Sequence, residues 1–190
     1  MSPAGPEPES VELGFAGSYL RVEVEQWAGG VRREVVRHPG ACAAVLFGSD
    51  GRVVLVRQFR EAVRRELLEV PAGIRDVAGE APEETMRREI LEETGLHVER
   101  VERLGSILTT PGFTDERIDL FVAWAGDETP VPPSEREVQV EIIDFQAALR
   151  MVAAGEIQDA KSCVALLLAE HRRESGRYPG TPAAREGDRA

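Results

Sequence analysis

Lysine is nearly missing from this chain: Lys161 stands alone, and arginine supplies the rest of the positive charge. Cations are outnumbered overall, leaving a net charge of −11 with no basic stripe, which excludes nucleic acid as a routine partner. Cysteine is scarce too. Cys42 and Cys163 sit in neither a metal-type nor a redox-type spacing, so both read as small buried hydrophobes. The three histidines, His38, His97 and His171, show no ligand-like spacing and read as packing or surface residues. No apolar run approaches the roughly 18 residues that a membrane span needs. The Pro- and Glu-rich N-terminus has no apolar signal core, so a cytoplasmic protein with no membrane partner is expected.

What is present fits one soluble domain. The chain has 190 residues, 42% of them apolar and 30% charged, enough length to bury a substantial core. Residues 1–10 and the tail from Glu174 onward are rich in Pro, Gly and charge and are expected to be mobile. Tyr19 to Val24 alternates with period two and reads as a strand, as does Val31 to Val36 after Gly29-Gly30. Ala41 to Phe47 and Val53 to Gln58 flank Ser49-Asp50-Gly51, a hairpin signal. Leu67 to Val70 is a short strand ending at Pro71. A helix opens at Pro82, has Glu83 and Glu84 near its positive N-terminal end, and stops at Gly95. Met86 and Ile90 form its buried stripe, while Glu89 and Glu93 point elsewhere. Further strands are expected over Val101 to Leu108, Ile118 to Trp124 and Val138 to Phe145, then helices over Gln146 to Ala154 and Ala160 to Arg172. Strands before, between and after the helices specify a mixed α/β sandwich and not a doubly wound parallel sheet.

One segment concentrates the chemistry: Arg88-Glu89-Ile90-Leu91-Glu92-Glu93-Thr94-Gly95-Leu96. Glu89 and Glu93 are four residues apart and therefore stacked on one helix face, with Glu92 flanking them. Two carboxylates about 5 Å apart repel by roughly 3 kcal/mol at an effective dielectric of about 20. The plain alternative is a solvated acidic helix face. An acidic protein that handles phosphates must screen itself with cations or local arginines, which suits a divalent-metal enzyme.

Taken with Gly73 and Glu80, this segment resembles the Nudix box, a loop–helix–loop that holds divalent metals and hydrolyses nucleoside diphosphates linked to another group. Seven residues separate Glu80 from Arg88, as in the family pattern; six separate Gly73 from Glu80, one more than usual. The resemblance implies an α/β/α sandwich with a mixed sheet and additional N-terminal antiparallel strands. It implies that Glu89 and Glu93 ligate Mg2+ (or Mn2+), helped by Glu92 and the Ala72 carbonyl, with two or more ions per site. It makes Arg88 a brace for the carboxylates, and Gly73, Glu80, Gly95 and Pro111 structural supports. A magnesium ion wants hard oxygen ligands and keeps several waters, so a few carboxylates suffice.

Three further stretches resemble the ADP-ribose pyrophosphatase branch of that family. Val56-Arg57-Gln58-Phe59-Arg60 looks like its arginine-bearing strand, and Leu68-Glu69-Val70-Pro71-Ala72-Gly73 like the run that leads into the box. Pro111, sixteen residues beyond Gly95, begins a loop, Pro111 to Glu116, that matches the same branch. The resemblance implies that Arg57, Arg60, Glu69, Gly112, Phe113 and Glu116 meet substrate, with Arg60 offering a planar fork to phosphate. It draws a catalytic glutamate from the loop before the last strand, where Glu135 and Glu137 are both candidates and Glu137 adjoins the strand; Glu92 is a further candidate. It also implies a homodimer in which residues 11–39 build the base pocket, ahead of a catalytic domain over 40–173. The expected reaction is hydrolysis of ADP-ribose to AMP and ribose 5-phosphate. Its rivals are other ADP-sugars, GDP-mannose or flavin dinucleotide as substrate, or a non-catalytic ADP-ribose-binding module.

Overall fold

All seven side chains of Ala41–Phe47 are buried, and no surface strand of a two-layer protein would be. A strand that reads apolar without alternation must be covered on both faces. The computed structural model, which describes residues 5–126, 129–134 and 138–175, shows what covers it. In chain order the elements are β1 (Ser10–Ala16), β2 (Arg21–Trp27), β3 (Val31–Arg37), β4 (Ala41–Phe47), β5 (Val53–Arg60), β6 (Arg65–Glu69), β7 (Ala72–Ile74), α1 (Pro82–Thr94), β8 (Val98–Leu108), β9 (Arg117–Ala125), β10 (Gln139–Ile143), α2 (Phe145–Ala154) and α3 (Ala160–Glu174).

The first three strands form their own antiparallel sheet in the order β1-β2-β3. The other seven form a second sheet along β10-β5-β4-β9-β8, with β6 beside β5 and β7 beside β4. That sheet is mixed, because β4 and β9 run parallel along seven registered pairs from Ala41↔Ile118 to Phe47↔Trp124. One face of β4 (Ala41, Ala43, Val45, Phe47) packs with Phe145 and Ala148 of α2 and Ala165, Leu166 and Ala169 of α3. The other face (Cys42, Ala44, Leu46) packs with Met86 and Ile90 of α1. Met86 and Ile90 are fully buried, each contributing about 1.5–3 kcal/mol of transfer free energy. The expected α/β/α sandwich with a mixed sheet and extra N-terminal antiparallel strands is therefore what forms.

Several boundaries differ from the expectation. β1 was not anticipated; it pairs with β2 through a register that slips between Leu13 and Phe15, around Gly14. β7 was also missed; three residues after a proline carry no periodicity, and its pairing with β4, from Ala41↔Ile74 to Ala43↔Ala72, defines it. The strand expected over Val138 to Phe145 is shorter, since the Asp144 carboxylate accepts a hydrogen bond from the Ala147 N–H at 3.0 Å and starts α2 at Phe145.

Candidate active site

Helix α1 supplies the centre of the site. Pro82 occupies its first turn and Gly95 ends it with a left-handed φ of 71°, its N–H donating to the Leu91 carbonyl at 2.9 Å. The face carrying Glu89 and Glu93 is turned inward: they are 7% and 3% exposed. This rules out the solvated acidic face: Met86 and Ile90 form the apolar stripe as expected, and Glu89 and Glu93, on another face, are covered as well. Buried carboxylates are costly unless held or matched by cations, and both are held. The Ala72 N–H donates to Glu93 Oε2 at 3.1 Å, and Arg88 donates to Glu89 Oε1 at 2.6 Å. Strand β7 comes so close that a Cβ on Gly73 would lie 1.9 Å from Glu89 Cδ. Only glycine fits there, and it leaves the carboxylate room beside the strand.

Arg88 works as a hub. Besides Glu89 it reaches Glu92 Oε2 at 3.3 Å, Glu80 at 3.3 and 3.2 Å, and Asp76 Oδ1 at 3.3 Å. Bonding to Glu80, then attraction from Glu89 and Glu92, pushes the guanidinium's pKa above its ordinary value. The same bond, with one from the Thr85 hydroxyl at 2.8 Å, holds the Glu80 carboxyl below the usual range. Four carboxylates around a single cation leave excess negative charge at the mouth of α1. Among the described residues no three acidic, histidine or cysteine side chains converge as a ready-made ion cage. The donor set nevertheless fits a hard divalent cation that retains waters: two inward carboxylates, Glu92 beside them, and a cradle that a Cβ at position 73 would fill.

Next to this centre lies a cluster of four ionic side chains around the buried Glu69. Arg60 Nε and Nη2 fork onto Glu69 at 2.9 and 2.6 Å, and Lys161 donates to Glu69 Oε2 and, at 2.8 Å, to Asp159. Glu69 is 1% exposed, so it sits behind Arg60 and aims it, while the Glu93 carboxylate acts on the same guanidinium. Burial alone would raise the Glu69 pKa, but bonds from Arg60 and attraction from Lys161 outweigh it and hold the carboxyl below its ordinary value. Lys161 was assigned no chemistry from the sequence; its being the sole lysine was the signal available. Arg57 is paired instead with Glu141 across β5 and β10.

The loop Pro111 to Glu116 is clamped to the N-terminal sheet. Val36 donates to the Phe113 carbonyl at 2.7 Å and accepts from the Asp115 N–H at 3.3 Å. Arg37 bonds Glu23 at 2.6 Å, Glu25 at 2.5 Å and Asp115 at 3.3 Å. Glu116 accepts from the Thr109 hydroxyl at 2.7 Å and lies 3.6 Å from His38 Nε2. Between loop and sheet opens a cavity of about 360 Å³ whose lining includes Trp27, Arg33, Arg37, Leu108, Gly112 and Phe113. Pro111 lines it too. Glu135 and Glu137 lie outside the described residues. The stretch leading to them is tied to α1: Val131 donates to the Gly95 carbonyl at 2.9 Å, and Ser134 to the Glu92 carbonyl at 3.0 Å.

The NUDIX domain model matches residues 36–166. The chain belongs to the NUDIX family. It is 36% identical over 141 residues to the ADP-ribose pyrophosphatase of Bacillus subtilis, covering 71% of this chain and 74% of the relative. Identity to the ADP-ribose pyrophosphatase of Mycobacterium tuberculosis is also 36%, over 172 residues, 88% of this chain and 83% of the relative. A GDP-mannose pyrophosphatase of Enterobacter sp. is 33% identical across 76% of this chain and 79% of its own. Among solved structures, an ADP compounds hydrolase superposes with a TM-score of 0.73 at 21% identity, covering 94% of this chain and all of that one, a likeness of fold.

Proposed function

We propose that this NUDIX protein hydrolyses the diphosphate bond of ADP-ribose to AMP and ribose 5-phosphate with Mg2+. The observation that carries the reading is the inward pair Glu89 and Glu93, set against a side-chain-free strand position at Gly73 and braced by Arg88. The names of the Bacillus and Mycobacterium relatives support the substrate. Glu89, Glu93, Glu92 and the Ala72 carbonyl hold the metal, two or more ions per site, and Mn2+ substitutes. Bound there, the metal neutralises the diphosphate and lowers the pKa of water. The chain does the rest. Arg60, aimed by Glu69 and Lys161, meets the diphosphate with the edge its Glu69 fork leaves free. A glutamate of the loop before β10, Glu137 ahead of Glu135, takes the proton from the attacking water. The base lies in the cavity between Trp27 and Phe113, with Gly112 and Glu116 near the ribose. Residues 11–39 complete that cavity and join two copies into a homodimer in the cytoplasm; residues 40–173 carry the chemistry.

A panel of nucleotide sugars with detection of AMP and GMP tests the substrate. ADP-ribose should show the highest kcat/KM. The GDP-mannose pyrophosphatase relative makes GDP-mannose the second reading, and GMP release as the dominant activity would establish it. Tight ADP-ribose binding with no AMP formed under saturating Mg2+ would leave a binding module instead.

A further inference from the structure

A second cluster of cations lies off the α1 helix, on the same sheet face. Asp119, 5% exposed, receives Arg103 Nη2 at 2.6 Å and Arg117 Nη2 at 3.5 Å on one oxygen, and faces Arg75 Nη1 at 3.9 Å on the other. Three strands assemble it. Arg75 follows β7, Arg117 and Asp119 alternate on β9, and Arg103 comes from β8. Arg103 and Ser106 would point to opposite faces of a regular strand. The register shift between Arg103 and Gly105 cancels that, placing Arg103 opposite Phe121 and Ser106 opposite Asp119 on one face. The bulge thus aims Arg103 at the aspartate. In a chain of net charge −11, three guanidiniums against one carboxylate are a local reversal of sign. Glu83 of α1 also acts on Arg103; counting it, one positive charge remains unmatched. The Nε of Arg75 is buried and has no hydrogen-bond partner among the described residues. The three side chains are 36%, 48% and 57% exposed, open to a ligand from solvent.

We propose that Arg75, Arg103 and Arg117 form an anion subsite for a phosphate group, separate from the metal centre. Planar guanidiniums give paired donors that match phosphate oxygens better than a lone ammonium does. Gly73, Cys42 and Asp119 are successive neighbours across β7, β4 and β9. At about 4.8 Å per strand, the subsite is therefore about 10 Å from the metal cradle. The ligand is a phosphate monoester or free orthophosphate, which share this chemistry. The subsite needs no particular reaction at α1.

The test is calorimetric titration of the full chain in EDTA, which silences the metal centre, with orthophosphate, ribose 5-phosphate and ribose. Both phosphates should bind and ribose should not. Affinity should fall at least tenfold in Arg103→Gln/Arg117→Gln and stay within twofold in Arg60→Gln. Tighter binding of ribose 5-phosphate marks a sugar-phosphate site and equal binding a free-anion site; either supports the subsite. Arg117→Gln alone, which breaks only the longer contact to Asp119, covers misfolding of the double variant and should weaken binding at least threefold. No phosphate binding by the parent, or undiminished binding by a folded double variant, overturns the proposal. Nucleotide-sugar hydrolysis is measured separately, so its failure leaves this result readable.

Discussion

A single methyl group probes the metal cradle. In Gly73→Ala the new Cβ would fall 1.9 Å from Glu89 Cδ, and the buried carboxylate must move away from the position in which the proposed cation would meet it. Turnover of ADP-ribose at saturating Mg2+ should drop at least about 30-fold, roughly 2 kcal/mol, with little change in far-UV circular dichroism. Near-parental turnover would remove Gly73 from the site. Glu93→Gln keeps the shape and deletes the charge; it should lose at least about tenfold, or 1.4 kcal/mol, in the same assay. At Glu69 the effect is on stability. Its carboxyl is held below the ordinary 4.5, so its stabilisation is complete above that value and fades as pH falls through the lower folded pKa. Urea unfolding should show Glu69→Gln less stable than the parent near pH 7, with the gap narrowing as pH falls below 4.5. A gap independent of pH would mean that the Arg60 and Lys161 contacts do not hold that charge. Residue types at fixed spacing made Glu89, Glu93 and Arg88 legible in the sequence. The partners were not: Lys161 is 92 positions from Glu69, and Asp119 meets Arg75 and Arg103 only through strand crossings and a bulge.

At the scale of elements, local pattern served where a segment carried its own apolar run or its own stop signals, as Ala41–Phe47 does. The hairpin at Asp50-Gly51 forms, with Gly51 at φ 78°, and α1 runs from the proline to the residue before the glycine foreseen for it. Pattern did not single out β1 or β7, each of which is defined by its pairing with a neighbour, β2 and β4. The C-terminus of α1 shows how two elements depend on each other. Its last carbonyls are free of intrahelical partners, and the stretch Val131 to Ser134 satisfies that of Glu92 and the carbonyl of the capping Gly95. A Cβ on Gly95 would sit 1.8 Å from the Val131 carbonyl oxygen, at a φ of 71° that L-residues avoid. Gly95→Ala should therefore cost about 1–2 kcal/mol from backbone strain alone, read as a lower urea midpoint. If the loop ahead of β10 delivers the base, kcat should also fall while KM for ADP-ribose holds. A variant with parental kcat would uncouple that loop from the helix.

For the whole molecule, the open question is what covers the outer edge of the N-terminal sheet. Strand β3 is docked through the Val36↔Thr114 bridge, whereas β1 is an edge strand whose every residue is exposed. Val11, Leu13 and Phe15 are 52%, 59% and 58% exposed there. An edge with unpaired backbone groups and apolar side chains invites a further strand or surface, and a second copy of the chain supplies the same edge in reverse, as two-fold symmetry requires. Acidic replacements at Leu13 and Phe15 would put charge on that surface without touching the buried core of β4 and β9. Light scattering after size exclusion should give the parent twice the chain mass and Leu13→Asp/Phe15→Asp the single-chain mass. Because the proposed base cavity is bounded by β2 and β3, the same variant should raise KM for ADP-ribose at least tenfold. Mg2+ dependence should stay put, since Glu89 and Glu93 belong to the other sheet's helix. A parent already monomeric at micromolar concentration, with KM unmoved by the substitutions, would show that this edge is tolerated in water and that the cavity is complete within one chain.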